Sequence, residues 1–103
     1  MSTDLHLYQS EIFKALAHPT RLQILELLRD EDKCVCEIVP ALQMEQSNVS
    51  RHLHVLKKEG LVMSRKEGLR TFYQINDARV IQVLDMGKEI IKEQWDKKQE
   101  LLE

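Results

Sequence analysis

The sequence of 103 residues is poor in aromatic residues, glycine, proline and cysteine, and it has no long apolar run. Because no stretch of about 18 apolar residues exists, we expect no membrane-spanning helix. The segment Met1–Leu7 lacks the basic start and the apolar stretch of a signal peptide, which predicts a cytoplasmic location. No linker rich in glycine, proline or serine divides the chain, so we expect a single domain over residues 1–103.

The patterns that support catalysis are also missing. We find no paired carboxylates, no glycine-rich phosphate loop, and no set of Ser, His and Asp in a recognisable context. These absences predict that the chain is not an enzyme and requires no cofactor. Charged residues make up 31% of the chain and apolar residues 43%, which suits a small helical domain. A core of this size often gains buried surface from a partner subunit.

The charges are unevenly distributed along the chain, whose net charge is −2. Between Gln46 and Arg70 there are six cations and two anions, whereas the rest of the chain carries nine cations and fifteen anions. A cationic segment on an acidic body is expected of a protein that binds duplex DNA. On charge alone, a solvated helix followed by a basic hairpin remains an alternative.

The spacing of apolar residues predicts a mainly α fold with five helices and one small β-hairpin. The predicted helices run from an Asp4 cap to Leu16, from a Thr20 cap to Leu28, over about Cys36–Leu42, over about Gln46–Glu59, and from an Asp77 cap to about residue 100. Pro40 favours a late start for the third helix, so that it falls in the first turn. Gly60 is the predicted cap of the fourth helix, and strands over 61–66 and 70–75 join around Gly68.

The third and fourth helices, about 36–59, are followed by a hairpin at about 61–75, which is the order of a winged helix-turn-helix. The second helix of such a domain enters the major groove. Val49, Leu53 and Leu56 form its core stripe. The polar remainder of this helix and the hairpin cations are the candidate DNA-binding residues: Ser47, Asn48, Ser50, Arg51, His52, His54, Lys57, Arg65, Lys66 and Arg70.

Three segments resemble motifs of the ArsR–SmtB family of metal-responsive repressors. Ala15–Leu25 resembles the family's second helix, Gln46–Leu53 its recognition helix, and Lys58–Val62 the exit into the wing. The likeness covers about residues 10–75. It implies a repressor that binds double-stranded operator DNA at an inverted repeat in its own promoter. It also implies a homodimer built on the first and last helices, about 4–16 and 77–100. A winged helix that docks proteins instead of DNA is the alternative.

The two cysteines, Cys34 and Cys36, are two residues apart. A disulfide between them would close a very small loop and stabilise almost nothing, so we expect reduced thiols. The segment Cys34–Ile38 resembles a box of arsenite-sensing family members, which implies that both cysteines are metal ligands and that arsenite or antimonite is the effector. Val39 stands where some members place a third thiolate. The last helix has no histidine for the family's zinc and cobalt site.

The spacing of the cysteines suggests how an effector could act. Residues two apart on a regular helix point about 200° away from each other. Both sulfurs can then reach one ion only if the start of the third helix unwinds or is already irregular, which would disfavour the DNA-binding arrangement. Three interpretations stay open for the pair: a thiol sensor of arsenite or antimonite, cysteines that pack as small hydrophobic residues, and a site for redox sensing or another soft metal.

Overall fold

The structure, a computed structural model, describes the backbone of residues 2–102 and the side chains of residues 4–101. Within that range it has five helices and a three-stranded antiparallel sheet. The helices are α1 (Ser2–Leu16), α2 (Pro19–Leu27), α3 (Val35–Leu42), α4 (Gln46–Lys58) and α5 (Arg79–Leu102), and the strands are β1 (Lys33–Cys34), β2 (Val62–Glu67) and β3 (Arg70–Ile75). The predicted mainly helical fold with a β-hairpin is confirmed, and one additional strand is present.

The additional strand, β1, joins the segment before α3 to the hairpin. The strand order is β1-β3-β2, and both pairs are antiparallel. In the hairpin Val62 lies opposite Ile75, while Cys34 of β1 lies opposite Phe72 of β3. A strand of two residues is too short to give an alternating pattern, so the sequence carried no signal for it. The wing is therefore a three-stranded sheet, and its edge strand β1 contains Cys34.

One hydrophobic core holds α2, α3, α4 and the base of the wing together. Its fully buried side chains are those of Ile24, Leu25, Ile38, Val49, Leu53, Leu56 and Val62. The predicted stripe of α4 is thus confirmed, because Val49, Leu53 and Leu56 are all 0% exposed. Since this stripe fixes one side of α4 in the core, the opposite side of the helix faces solvent.

The starts of α1 and α2 differ from the prediction. The backbone of His18 is extended, and its Nδ1 accepts a hydrogen bond from the N–H of Thr20 at 3.1 Å. His18, not Thr20, is therefore the cap of α2. Pro19 takes the first helical position, where its missing N–H costs nothing. Asp4 lies within the first turn of α1 and not before it.

The start of α3 also corrects a prediction, because Pro40 lies in the helix interior and not in its first turn. Cys34 is the N-cap residue, and its Sγ accepts a hydrogen bond from the N–H of Cys36 at 3.0 Å. The carboxylate of Glu37 accepts a hydrogen bond from the N–H of Cys34 at 3.0 Å. This reciprocal capping satisfies helix-start donors and fixes an early start for α3 in spite of the donor that Pro40 lacks.

The two helices of the helix-turn-helix both end on left-handed residues. Gln43, with φ 54°, ends α3, and Gly60, with φ 75°, follows α4. The N–H of Gly60 donates to the carbonyl of Lys57, and the N–H of Leu61 donates to the carbonyl of Leu56. These two bonds form a Schellman motif, which ends the helix and turns the chain into the wing. The predicted capping role of Gly60 is confirmed.

Only the first half of α5 packs on the rest of the chain. The Asp77 carboxylate accepts a hydrogen bond from the N–H of Arg79 at 2.9 Å, as predicted for a cap. The guanidinium of Arg29, just after the end of α2, forms ion pairs with Glu26 of α2 and Asp85 of α5. From 89 to 101 every residue is exposed. None of the helices in the described part of the chain has the length and apolar content needed to span a membrane.

Candidate nucleic-acid interface

The solvent face of α4 carries most of the polar residues that were predicted to contact DNA. Ser47, Ser50, Arg51 and His54 are exposed. Arg51 Nη2 donates a hydrogen bond to Asn48 Oδ1 at 3.1 Å. No side chain caps the start of α4, and its first turn contains no acidic residue. The N–H of Asn48 donates to the carbonyl of Glu45, so those of Gln46 and Ser47 are the N–H groups of this turn that could bind an anion, which a helix N-terminus favours.

His52 does not belong to this face, so the expectation that it is a surface group contacting DNA is wrong. It is 6% exposed, and its ring centroid lies 4.4 Å from that of His18. The sequence contained the signal for this burial. Val49, His52, Leu53 and Leu56 stand at i, i+3, i+4 and i+7, which is the complete pattern of a core-facing stripe.

The wing places two predicted cations in solvent and engages a third in ion pairs. Lys66 and Arg70 are exposed, and neither has an ion pair with any side chain of residues 4–101. Arg65 pairs with Glu67 at 2.9 Å and with Asp32 at 2.5 Å, and these carboxylates raise the pKa of its guanidinium. Its charge is therefore partly neutralised, and Lys66 and Arg70 are better suited to bind phosphate.

Lys57, at the end of α4, connects the recognition helix to the wing. Its Nζ donates a hydrogen bond to Ser64 Oγ of β2 at 2.7 Å. The Arg65 guanidinium also lies 4.9 Å from the centre of the Phe72 ring, which links β2 to β3 by a cation–π contact. The bond from Lys57 and the packing of α4 on β2 place the wing beside the end of α4.

The cysteine pair lies in a groove of about 390 Å³ between α3, α4 and the wing. Gln46, Ser50 and Arg70 also line the groove. The structure joins Cys34 and Cys36 in a disulfide, with Cα atoms 5.0 Å apart, a common separation for disulfides. The expectation of two reduced thiols is therefore wrong for the state that the structure describes.

The conformation of Cys34 explains why the two sulfurs meet. This residue precedes α3 with extended backbone angles (φ −70°, ψ 149°), so its side chain does not follow the helical rotation that applies to Cys36. Of the two possibilities considered from the sequence, the irregular helix start is the one found. Both sulfurs converge without any unwinding of α3. Among the side chains of residues 4–101, no group of three or more His, Cys, Asp or Glu is arranged to hold a metal ion.

Comparison with known sequences points to one family. Residues 18–64 match the model of the family described as bacterial regulatory protein, arsR family. The chain is 46% identical over 82 residues to the uncharacterized HTH-type transcriptional regulator MJ1325 of Methanocaldococcus jannaschii, covering 79% of this chain and 92% of that protein. It is 36% identical over 91 residues to the arsenical resistance operon repressor of Escherichia coli, covering 87% of this chain and 74% of that protein.

A solved structure extends the similarity to the fold. The solution NMR structure of the homodimeric winged helix-turn-helix DNA-binding domain Mb0332 of Mycobacterium bovis, described as a possible ArsR-family transcriptional regulator, is 32% identical to the chain. The two superimpose with a TM-score of 0.83 over 93% of this chain and 89% of that chain. The arrangement of five helices and a small sheet is thus that of a winged helix-turn-helix domain.

Proposed function

The chain belongs to the ArsR family of bacterial regulatory proteins, and from this premise we propose that it represses transcription as a homodimer bound to an inverted-repeat operator. Members of the family are DNA-binding transcriptional regulators, which confirms the prediction that the chain is not an enzyme. The observation that carries the proposal is the exposed face of α4, where short polar and basic side chains project from a helix whose other side is fixed in the core.

Each part of this surface suits a different part of a DNA duplex. Asn48, Ser50 and Arg51 have the donors and acceptors that read base edges in the major groove. Lys66 and Arg70 on the wing would bind the phosphates beside the groove, where each contact adds to the salt dependence of binding. Ser47, at the N-terminal end of α4, would bind a phosphate oxygen. His54 and Lys57 lie on the exposed side farther along the same helix.

Exposed apolar surface on α1 and α5 supports the homodimer. Tyr8 and Phe13 of α1 are 73% and 53% exposed, and Ile91 and Trp95 of α5 are 48% and 64% exposed. An apolar groove of about 730 Å³ runs between α1, α2 and α5. Clustered exposed apolar side chains of this kind mark a surface for interaction with another protein. A second copy would cover it and would present the two α4 helices to two half-sites of an inverted repeat.

For the effector, we propose that reduced Cys34 and Cys36 bind arsenite or antimonite. Thiolates are soft ligands that suit such ions, and the N-terminus of α3 favours ionised thiols. The third coordination position would be taken by hydroxide or an added thiol, since Val39 supplies no donor. An ion in this groove would lie beside Gln46, Ser50 and Arg70, and thus within the proposed DNA surface.

Two structural connections would carry the effect of such an ion to DNA. Cys34 pairs with Phe72, whose ring contacts Arg65 in the wing. Cys34 also caps α3, which packs on α4. A change at Cys34 would therefore shift either the wing or the recognition helix. Allosteric coupling of this kind typically amounts to about 1–3 kcal/mol.

The disulfide favours a second candidate effector, an oxidant of the peroxide class. In this reaction the two thiols lose two electrons and two protons to form the S–S bond, and hydrogen peroxide is reduced to two water molecules. Because arsenite requires the reduced thiols, oxidation and arsenite binding exclude each other at the same pair. The two effectors can therefore be separated by experiment on one protein.

The DNA proposal is tested by fluorescence anisotropy with a labelled duplex from the promoter of the chain's own gene. We expect Arg51→Ala to weaken operator binding while the protein stays folded. Lys66→Ala should weaken binding to all sequences about equally and reduce the salt slope by about 1. Lys92→Ala, which removes an exposed cation of α5, is the control and should bind as the wild type does. If Arg51→Ala and Lys66→Ala both bind the operator with wild-type affinity, the assignment of α4 and the wing as the DNA-binding surface is wrong.

The effector proposal is tested by adding arsenite to the complex of the reduced protein with its operator. The wild type should release DNA, whereas Cys34→Ser and Cys36→Ser should bind the operator and remain bound. Val39→Cys supplies a third thiol in the same groove and should respond at lower arsenite concentration. Release by peroxide but not by arsenite would instead assign a redox sensor. If neither agent releases the wild type, the cysteines are packing residues.

A further inference from the structure

A polar cluster of His18, Arg21 and His52 lies on the inner side of α4, away from the proposed DNA surface. The guanidinium of Arg21 in α2 stands where α1, α2 and α4 meet. Its Nε donates to the carbonyl of Ala15 at 2.6 Å, and its Nη2 donates to the carbonyl of Lys14 at 3.0 Å. These carbonyls belong to the last turn of α1, where a helix leaves carbonyls without intrahelical partners. One arginine of α2 thus caps the end of α1.

The remaining amino group of this guanidinium reaches α4. Arg21 Nη1 lies 3.3 Å from Nδ1 of His52. Because arginine has only N–H donors, Nδ1 of His52 must accept, and the ring is neutral with its proton on Nε2. Burial lowers the pKa of His52, and the charges of His18, Arg21 and Arg51 lower it further. His52 is therefore a neutral acceptor at pH 7, held between His18 and Arg21.

We propose that Arg21 and His52 are positioning residues that fix α4 against the end of α1 and thereby set the separation of the two recognition helices in the dimer. The inference rests on the proposed function, in which α1 belongs to the dimer interface and α4 enters the major groove. The other buried contacts of α4 are apolar and non-directional. A hydrogen bond from a charged donor adds a fixed direction.

The separation matters because half-sites on DNA have a fixed spacing. The recognition helices of a helix-turn-helix dimer must lie about 34 Å apart to enter successive major grooves. A shift of α4 relative to α1 is applied in both protomers and changes this separation. Loss of the Arg21–His52 bond should therefore weaken specific binding, although neither residue contacts DNA.

Matched substitutions at both positions separate positioning from direct contact. His52→Leu removes the acceptor, whereas His52→Asn keeps an oxygen in the place of Nδ1. Arg21→Met removes all three donors, and Arg21→Lys keeps the charge but cannot make the three bonds together. We expect His52→Leu to weaken operator binding about tenfold, the size of one charged hydrogen bond, and Arg21→Met to weaken it at least as much, because it also removes the two bonds to α1. The double variant should be no weaker than Arg21→Met, and His52→Asn should restore most of the affinity.

The salt dependence of the same titrations distinguishes this role from phosphate binding. The slope of log Kd against log salt should not change in His52→Leu or Arg21→Met, whereas Lys66→Ala, which removes a phosphate contact, should reduce it. Three results would overturn the proposal: additive effects in the double variant, a reduced slope in Arg21→Met, or wild-type affinity in His52→Leu. The His52 variants keep the test decisive if Arg21→Met does not fold.

A second measurement, made without DNA, separates this inference from the proposed function. In ¹⁵N NMR spectra of the free protein, His52 should show an unprotonated Nδ1, and Arg21 Nε–H should exchange slowly with water. Because Nε donates to the carbonyl of Ala15 and not to His52, its slow exchange should persist in both His52→Asn and His52→Leu, whereas the Nη1 protons should be protected in the wild type and in His52→Asn and exchange rapidly in His52→Leu. A protonated Nδ1 or a rapidly exchanging Arg21 Nε–H in the wild type contradicts the positioning role. Failure of the wild type to bind any duplex contradicts the proposed function instead.

Discussion

Gly60 is the residue at which the recognition helix ends and the wing begins, and its replacement by alanine has a cost that can be worked out from the structure. The φ angle is 75°, and a Cβ added here would meet no atom within 4 Å. The cost is therefore one of backbone conformation alone. A residue with a side chain loses about 1–2 kcal/mol in this region. Restriction of the unfolded chain offsets about 0.4–1 kcal/mol. We expect Gly60→Ala to destabilise the protein by about 1 kcal/mol.

Urea unfolding followed by circular dichroism, at one fixed protein concentration, measures this change. The urea concentration at the midpoint of unfolding should fall, whereas the slope of the free energy of unfolding against urea concentration should not change. Gly60→Asn is the matched control, because asparagine adopts the left-handed conformation more readily than alanine, and it should lose less stability. An alanine variant as stable as the wild type would refute the reasoning. A loss of stability well above about 2 kcal/mol would indicate a steric clash of the new side chain, which contradicts the open space around Gly60.

Two further predictions concern α5. Hydrogen bonds from Arg29 lower the pKa values of Glu26 and Asp85, so both carboxylates stabilise the folded protein above about pH 4, and this contribution is lost as the pH falls through their lowered pKa values. In Asp85→Asn the free energy of unfolding, measured by circular dichroism, should therefore decrease less between neutral and acid pH than it does in the wild type. The same decrease in both proteins would contradict this. Truncation after Ile75 should yield a monomer or an unfolded chain by sedimentation velocity, whereas a dimeric truncation that binds DNA would place the dimer interface elsewhere.

The sequence predicted the structure best where a local pattern also matched the burial of side chains in the core. The stripe on α4 and Gly60 fixed the position and the end of the recognition helix. His52 was misjudged because its polar character was weighed above its spacing, which follows that of Val49 and Leu53. The strand β1 could not be predicted, because its two residues are ordered by pairing with the wing and not by a pattern of their own.

In the cysteine segment, two local signals favour different starting points for α3. Pro40 alone favours a late start for α3, but the reciprocal capping by Cys34 and Glu37 sets an earlier one. The expectation of reduced thiols rested on the strain of such a small loop and on how little its closure would stabilise the protein. Those considerations do not say whether the sulfurs are close in the folded state. Their proximity depends on the extended backbone of Cys34, which a periodicity argument does not include.

The most direct test of the central claim is the preference of the wild-type protein for its own promoter duplex over a scrambled duplex of the same composition, measured by anisotropy at several salt concentrations. We predict tighter binding to the promoter by a factor of about 10³ or more, with affinity for both duplexes falling as salt rises. Arg51→Ala should lose most of that preference. Equal affinity for the two duplexes, or binding that does not depend on salt, would contradict the claim that α4 and the wing bind operator DNA.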